Sequence, residues 1–238
     1  AGAIIGCRRL SAKGGLGCPV LHHEIEDSLR LAYTLVPQEG YATATTNAEA
    51  LGFATVAAFD SGNLLNVAKD LHEKFPDKPV VVFGDDDRHL QLTQGTNPGK
   101  IKAQEAAKAV GGHANFPVFA PGENEYPKEL EPVTPQVYRK HTLAAKALAD
   151  TEKDPEGAKL TTEDRSKLQG DLLSEAQQTA LSRMKRHTDF NDLDNNSTLG
   201  RDGVERQVRA AVGLAIEKTE QKRAVQQEVR QPLIAKEG

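Results

Sequence analysis

Pro79-Val80-Val81-Val82-Phe83-Gly84-Asp85-Asp86-Asp87 is the stretch on which the fold turns. Four apolar residues follow a proline with no polar alternation, the pattern of a strand covered on both faces, as in a parallel sheet packed between helices. The strand then stops on a glycine and three aspartates. Downstream, Asn97-Pro98-Gly99 opens a helix predicted to turn Ile101, Ala106 (or Ala107) and Val110 inward, with Gly111-Gly112 closing it. Residues 113–119 read as a further strand, placed at a sheet edge by Pro117. Upstream, Asn63 is the expected N-cap of a helix with Leu64, Val67, Ala68, Leu71 and Phe75 on one face, stopped by Pro76. Before it lie a strand at 53–59, a short helix at 42–51 closed by Gly52, and a strand at 32–37 running into Glu39-Gly40. Strand and helix alternate throughout, which predicts an α/β domain with a mostly parallel sheet flanked by helices.

The rest of the chain is different in kind. Residues 123–186 are highly charged, with Leu and Ala as the main apolar residues, and carry helix-start signals at Thr134-Pro135, Thr161 with Asp164, and Ser174 with Gln177. They read as a charged helical insertion. The core resumes near Asp189, and residues 201–231 form one long C-terminal helix, apolar at Val204, Val208, Ala211, Val212, Ala215 and Ile216 and almost wholly polar beyond Lys218. The expected organisation is an N-terminal segment of unclear role (1–31), a core (32–122), the insertion (123–186), and the end of the core with its long helix (187–238).

Of 238 residues 27% are charged and 38% hydrophobic, so part of the chain should lie outside the main core. Tryptophan is absent, which leaves the core to Val, Leu, Ile and Ala. No run is long and apolar enough to span a membrane and no secretory signal is visible, which points to a cytoplasmic protein with no membrane partner. The chain starts at Ala1 and holds a single Met184, the look of a fragment of a longer polypeptide. Cys7 and Cys18 are the only cysteines; with His22 and His23 they fit no usual zinc knuckle and read as ordinary thiols. A net charge of −4 argues against a protein held to DNA by charge alone, yet an acidic metal site can lower the total while basic patches bind phosphates.

Ligands of parallel α/β sheets bind at the carboxyl ends of the strands. Glu39 follows one strand, Asp60 the next, and Asp85, Asp86 and Asp87 the third. If those strands are neighbours, carboxylates converge on one small volume. Bare carboxylates ~4 Å apart repel by about 4 kcal/mol per pair at an effective dielectric of roughly 20, so such a cluster calls for a divalent cation. Oxygen-only donors point to Mg²⁺ or Mn²⁺ rather than Zn²⁺. Asp60 reads better as a helix cap. Three successive acids after a buried strand are costly for a mere turn, and backbone alternation lets Asp85 and Asp87 point together while Asp86 points elsewhere.

Glu39-Gly40-Tyr41-Ala42-Thr43, the segment Ala57-Ala58-Phe59-Asp60-Ser61-Gly62-Asn63-Leu64, Gly84-Asp85-Asp86-Asp87, Asn97-Pro98-Gly99 and Asp189-Phe190-Asn191-Asp192-Leu193 occur in that order. Together they resemble the Toprim domain of plasmid-conjugation DNA primases of the TraC type and related phage and mobile-element primases, over residues 33–209. The resemblance implies a Toprim-like α/β fold that binds Mg²⁺ (or Mn²⁺). Glu39 would be the catalytic acid or base, and Asp85 and Asp87 would hold metal against phosphates. Asp189 and Asp192 would add a further metal contact, although Asp189 reads equally as a helix cap. Pro37-Gln38 stands where the family's first strand has an apolar run.

The activity so implied is Mg²⁺-dependent nucleotidyl transfer, the synthesis of short RNA primers from ribonucleotides on single-stranded DNA. Other domains or replication and transfer proteins would dock on the C-terminal helix. Lys100 and Lys102, at a helix start, are candidates for triphosphate or template phosphates, and read equally as a solvated lysine face. Arg183, Lys185, Arg186 and His187 form the densest basic patch, a candidate contact for a single strand. Two other readings stand beside this one: a Toprim nuclease using the same acids to cut, and a non-catalytic DNA- or protein-binding module. A topoisomerase needs an attacking tyrosine on another domain, whereas Tyr33, Tyr41, Tyr126 and Tyr138 lie in or beside this one. Gly95 to Lys100 has the wrong glycine spacing for a P-loop, with Ile101 where Ser or Thr should be, and Gly15-Leu16-Gly17 lacks the third glycine of a dinucleotide fold.

Overall fold

The computed structural model describes residues 4–6, 36–52, 55–153 and 160–234. Most of the strand expected at 32–37, the start of that at 53–59, and Cys7, Cys18, His22 and His23 lie outside the described residues. Among those described, five strands form one sheet: β1 (Ile4–Gly6), β2 (Pro37–Gln38), β3 (Thr55–Ala57), β4 (Val81–Phe83) and β5 (His113–Asn115). Their order is β1-β3-β2-β4-β5, and every pairing is parallel. The α/β class read from the sequence is the fold observed. β5 is an edge strand as Pro117 implied, but it stops at Asn115.

Alternation along β4 sorts its side chains between two cores. Val80 and Val82 face helices α2 (Ser61–Lys74) and α4 (Pro98–Ala109), where Leu64, Val67, Leu71 and Ala103 are buried. Val81 and Phe83 face the other way, against α8 (Phe190–Asn196) and α9 (Gly200–Ile234), with Phe190, Leu193, Val204 and Val208 buried there. The Phe83 and Phe190 rings meet edge to face, 5.1 Å between centroids. Helix α1 (Tyr41–Leu51) joins this second layer through Ala50 and ends on Gly52, whose φ of 78° is the left-handed C-cap that glycine tolerates best.

Two expectations need correction. The cap of α2 is not Asn63 but Asp60, in keeping with the reading of Asp60 as a helix cap: its Oδ1 accepts from Asn63 N–H at 2.9 Å, while Asn63 sits inside the first turn and donates from Nδ2 to Ala58 O, 2.9 Å. Ile101 is 42% exposed, and α4 instead buries Gly99, Ala103, Ala106 and Ala107. The reason is close approach: a Cβ built on Gly84 would lie 2.4 Å from Ala103 Cβ, so only small residues fit along that seam.

The chain divides into two compact units, residues 1–86 with 98–119 and 189–238, and residues 87–97 with 120–188. The second is helical: α3 (Arg88–Gln94), a short helix the sequence reading passed over, with α5 (Pro135–Lys153), α6 (Thr162–Gly170) and α7 (Glu175–Lys185). The expected starts are in place. Thr134 Oγ1 accepts from Val137 N–H, Thr161 caps α6, and Ser174 with Gln177 closes a reciprocal capping box on α7. Val133, Leu173, Leu181 and Met184 are its buried core. No helix among the described residues is long and apolar enough to cross a membrane.

Gly84→Ala should lower stability by about 1–3 kcal/mol, because the new methyl overpacks the Ala103 seam. Urea denaturation of Gly84→Ala and of Gly84→Ala/Ala103→Gly checks this. The second change should recover part of the loss despite the roughly 1 kcal/mol that glycine costs a helix.

Candidate functional site

The central strand β2 is only two residues long, yet it holds the site together. Gln38 pairs with Ala57 of β3 on one side and with Phe83 of β4 on the other, so residues 39, 58 and 84 leave the same edge of the sheet. The condition for carboxylate convergence is therefore met: β3, β2 and β4 are parallel neighbours, and their carboxyl ends lead to Asp60, Glu39 and Asp85. Pro37-Gln38, which breaks the expected apolar run, is itself the strand. Gln38 is 0% exposed, and its Oε1 accepts from Asn47 Nδ2 of α1 at 2.6 Å. The partner atoms Gln38 Nε2 and Asn47 Oδ1 are buried without a hydrogen bond.

Glu39, Asp85 and Asp87 are each half-buried, while Asp86 between the last two is 3% exposed. Lys100 Nζ stands 4.0 Å from Asp86 Oδ1 and 5.2 Å from the Phe116 ring centroid. Asp87 N–H donates to Asn97 Oδ1 at 3.1 Å.

Asp189 is brought to the start of α1. Its Oδ2 accepts from Thr43 Oγ1 at 2.9 Å, and its Oδ1 accepts from Asp192 N–H at 2.7 Å, capping α8. Thr46 donates to Asn191 Oδ1 beside it, at 3.3 Å. Burial holds the Asp189 carboxyl above the usual carboxylate range, and the neighbouring Asp192 pushes the same way; the bonds from Asp192 N–H and Thr43 oppose them. Arg201 ties α9 to α1 and α8 through Glu49 and Asp194.

Asp85, Asp87, Asp189 and Asp192 offer carboxylate oxygens only, the donor set of a hard cation such as Mg²⁺. Among the described residues no three His, Cys, Asp or Glu side chains form a closed group. Mg²⁺ requires no such cage, since it keeps several waters and takes one or two carboxylates together with substrate phosphates. The residue types thus fit the ion.

The basic candidates separate. Lys102 bonds Glu105 at 2.9 Å on an exposed turn of α4. In the helical unit, Arg183 donates to Glu125 O at 3.1 Å, and Arg186 is exposed. Lys185 lines a cavity of about 410 Å³ with His89, Tyr138 and His141. His187 does not belong to this patch: it is buried, with Nδ1 2.8 Å from Arg183 O.

Two aromatic side chains at the carboxyl edge have no role assigned from the sequence. Phe59, just beyond β3, is 49% exposed and has φ 68°, a left-handed backbone that bulky residues rarely adopt. Tyr41, two residues beyond Glu39, is 57% exposed. Residue type gives no hint of either, since an isolated Phe in an apolar segment normally signals core.

Comparison with known proteins yields two curated relatives. One is a DNA primase TraC of Escherichia coli, 62% identical over 201 residues, which cover 84% of this chain and 19% of that protein. The other, also a DNA primase TraC of Escherichia coli, is 56% identical over 186 residues, 78% of this chain and 13% of its own length. The chain thus spans less than a fifth of the curated relatives it matches. No family model matches it, and no solved structure does.

The raised Asp189 carboxyl makes a signed prediction. As pH climbs from the ordinary aspartate range through the raised value, the unfolded chain releases its proton first. Native stability therefore falls across that window and stays lower above it. Asp189→Asn keeps a cap acceptor for Asp192 N–H but never ionises. Urea midpoints recorded without metal from about pH 3 to 7 should show the variant gaining on the parent as pH rises. A difference independent of pH would contradict the assignment.

Proposed function

We propose that this chain is the Toprim-type catalytic part of a DNA primase serving plasmid conjugation or mobile-element transfer, joining ribonucleotides into short RNA primers on single-stranded DNA. The observation that carries this reading is the register of β2 against β4, from which Glu39 and the Asp85-Asp86-Asp87 run leave one sheet edge. The strong identity to a segment of two proteins named DNA primase TraC supports it.

In this reading Asp85 and Asp87 hold Mg²⁺ (or Mn²⁺), with Asp189 and Asp192 as further contacts. The ion would neutralise phosphate charge and align the transferring group. Glu39 exchanges a proton with a ribose hydroxyl or the leaving oxygen, a role that suits a half-buried carboxylate at the mouth of a strand. Lys100 lies in the first turn of α4, where backbone N–H groups also favour an anion. Lys102 is bonded to Glu105 and would have to exchange that partner for phosphate. Arg183, Lys185 and Arg186 would meet template phosphates, and the exposed rings of Tyr41 and Phe59 offer faces on which bases stack.

Labelled ribonucleotide incorporation on single-stranded DNA with Mg²⁺ or Mn²⁺ tests the proposal. Short products should form with the parent chain and vanish in Glu39→Gln and in Asp85→Asn/Asp87→Asn. Metal-dependent cutting of the template without products would replace priming by nuclease chemistry. Neither activity, with DNA still bound, would leave a binding module. Phe59→Gly separates strain from function. Glycine accepts φ 68°, so stability should stay within about 1 kcal/mol of the parent, while single-strand affinity falls about tenfold with the lost stacking face.

A further inference from the structure

At the opposite, amino-terminal ends of β4 and β5 lies a cavity of about 170 Å³ lined by Lys78, Lys218 and Lys222, with His72, His113 and a single acid, Asp77. Two segments far apart in sequence bring the lysines together, the turn before β4 and the stretch of α9 at which its surface becomes polar, and His113 adds its ring from the start of β5. Like charges gathered round one concavity repel one another, and the same residues would be stabilised by an anion between them. The effect is felt locally. The His113 ring is held below the usual histidine range by burial and then by Lys218 and Lys222. Arg223, one residue beyond Lys222, donates to Asp77 O and adds a further positive charge beside the cavity. The floor is apolar, from Val80, Val110 and Ala215.

We propose that this pocket binds a phosphate group, supplied either by a nucleic-acid strand or by a free nucleotide. The cavity has room for a phosphate and some of its hydration, and it opens to solvent, so the rest of a nucleotide or strand can lie outside it. Lys218 and Lys222, one helical turn apart on the exposed side of α9, line the cavity together, and Lys78 lines it from the turn before β4. The inference stands apart from the primase reading. It uses the other end of the strands and none of the acidic residues.

The test is binding by the full chain of a labelled oligothymidylate, followed by fluorescence anisotropy, and of ATP, followed by calorimetry, both without divalent metal. Lys218→Ala/Lys222→Ala is compared with Lys69→Ala/Lys108→Ala, which removes the same charge from exposed sites elsewhere on the same unit. Lys218 and Lys222 are exposed, so their loss leaves the fold intact. The pocket variant should weaken binding about tenfold and the control variant far less. If the oligonucleotide is the ligand affected, the slope of log affinity against log salt should also fall by about 0.7 for the one phosphate lost. If only ATP is affected, the source is a free nucleotide. The proposal is overturned if neither ligand binds the parent chain, if the pocket variant binds both as the parent does, or if the control variant loses as much.

Discussion

A hydrogen bond between two buried amides, Asn47 to Gln38, fastens the shortest strand of the sheet to the helix that follows it. Everything else leans on that strand. β2 alone joins the β1–β3 pair to the β4–β5 pair, and its two residues supply the register on both sides. A pair of amides at this point is an expensive choice, because two of their four polar atoms are buried without partners, each costing on the order of 1–3 kcal/mol. An apolar pair would hold the sheet as well. What the amides add is direction: Gln38 cannot slide by one residue without losing Asn47 and turning a polar side chain into the opposite core. The chain then leaves the sheet at Glu39 in one defined position.

From that fixed point the acidic edge follows by geometry. Parallel neighbours end together, so the residues after β3, β2 and β4 emerge side by side. Asp60 is absorbed by its helix, and Asp86 turns inward near Lys100. Asp189 is drawn in from the far end of the chain by Thr43, a contact 146 residues long in sequence. It serves two helices at once, accepting from the start of α1 and capping α8. A carboxylate so placed has both oxygens engaged while burial opposes its charge.

Much of the framework could be read from the residues because it is local. The apolar run at 80–83, the faces of α2 and α9, the capping box at Ser174 and the glycine at 52 all rest on spacing or on a single residue's backbone preference. The errors came where a distant partner decides. Asp60 and Asn63 are both good caps three residues apart, and only the chain's exit from β3 selects the first. Ile101 has the right period for burial, but the missing side chain of Gly84 draws α4 so close that alanines take the seam. The short helix 88–94 buries little beyond Thr93, too little for a periodic signal. At the site, the three aspartates stood out by their cost after an apolar strand. The junction of Thr43 with Asp189, the exposed ring of Phe59 and the cavity shared by Lys78 and Lys218 have no local signature at all.

The two faces of the sheet come from very different spans of chain, and this bears on how the molecule is made. Val56, Leu64, Val80, Val82 and Ala103 close one core within about fifty consecutive residues, so that layer can assemble soon after it is synthesised. The opposite face, with Val81 and Phe83, waits for Phe190, Leu193 and Val204, which follow only after the whole helical segment 120–188. During translation the growing chain therefore carries a half-covered sheet with an apolar surface open to other proteins. Chaperone contact at this stage, and any drop in yield from late truncation, would trace to that one uncovered face.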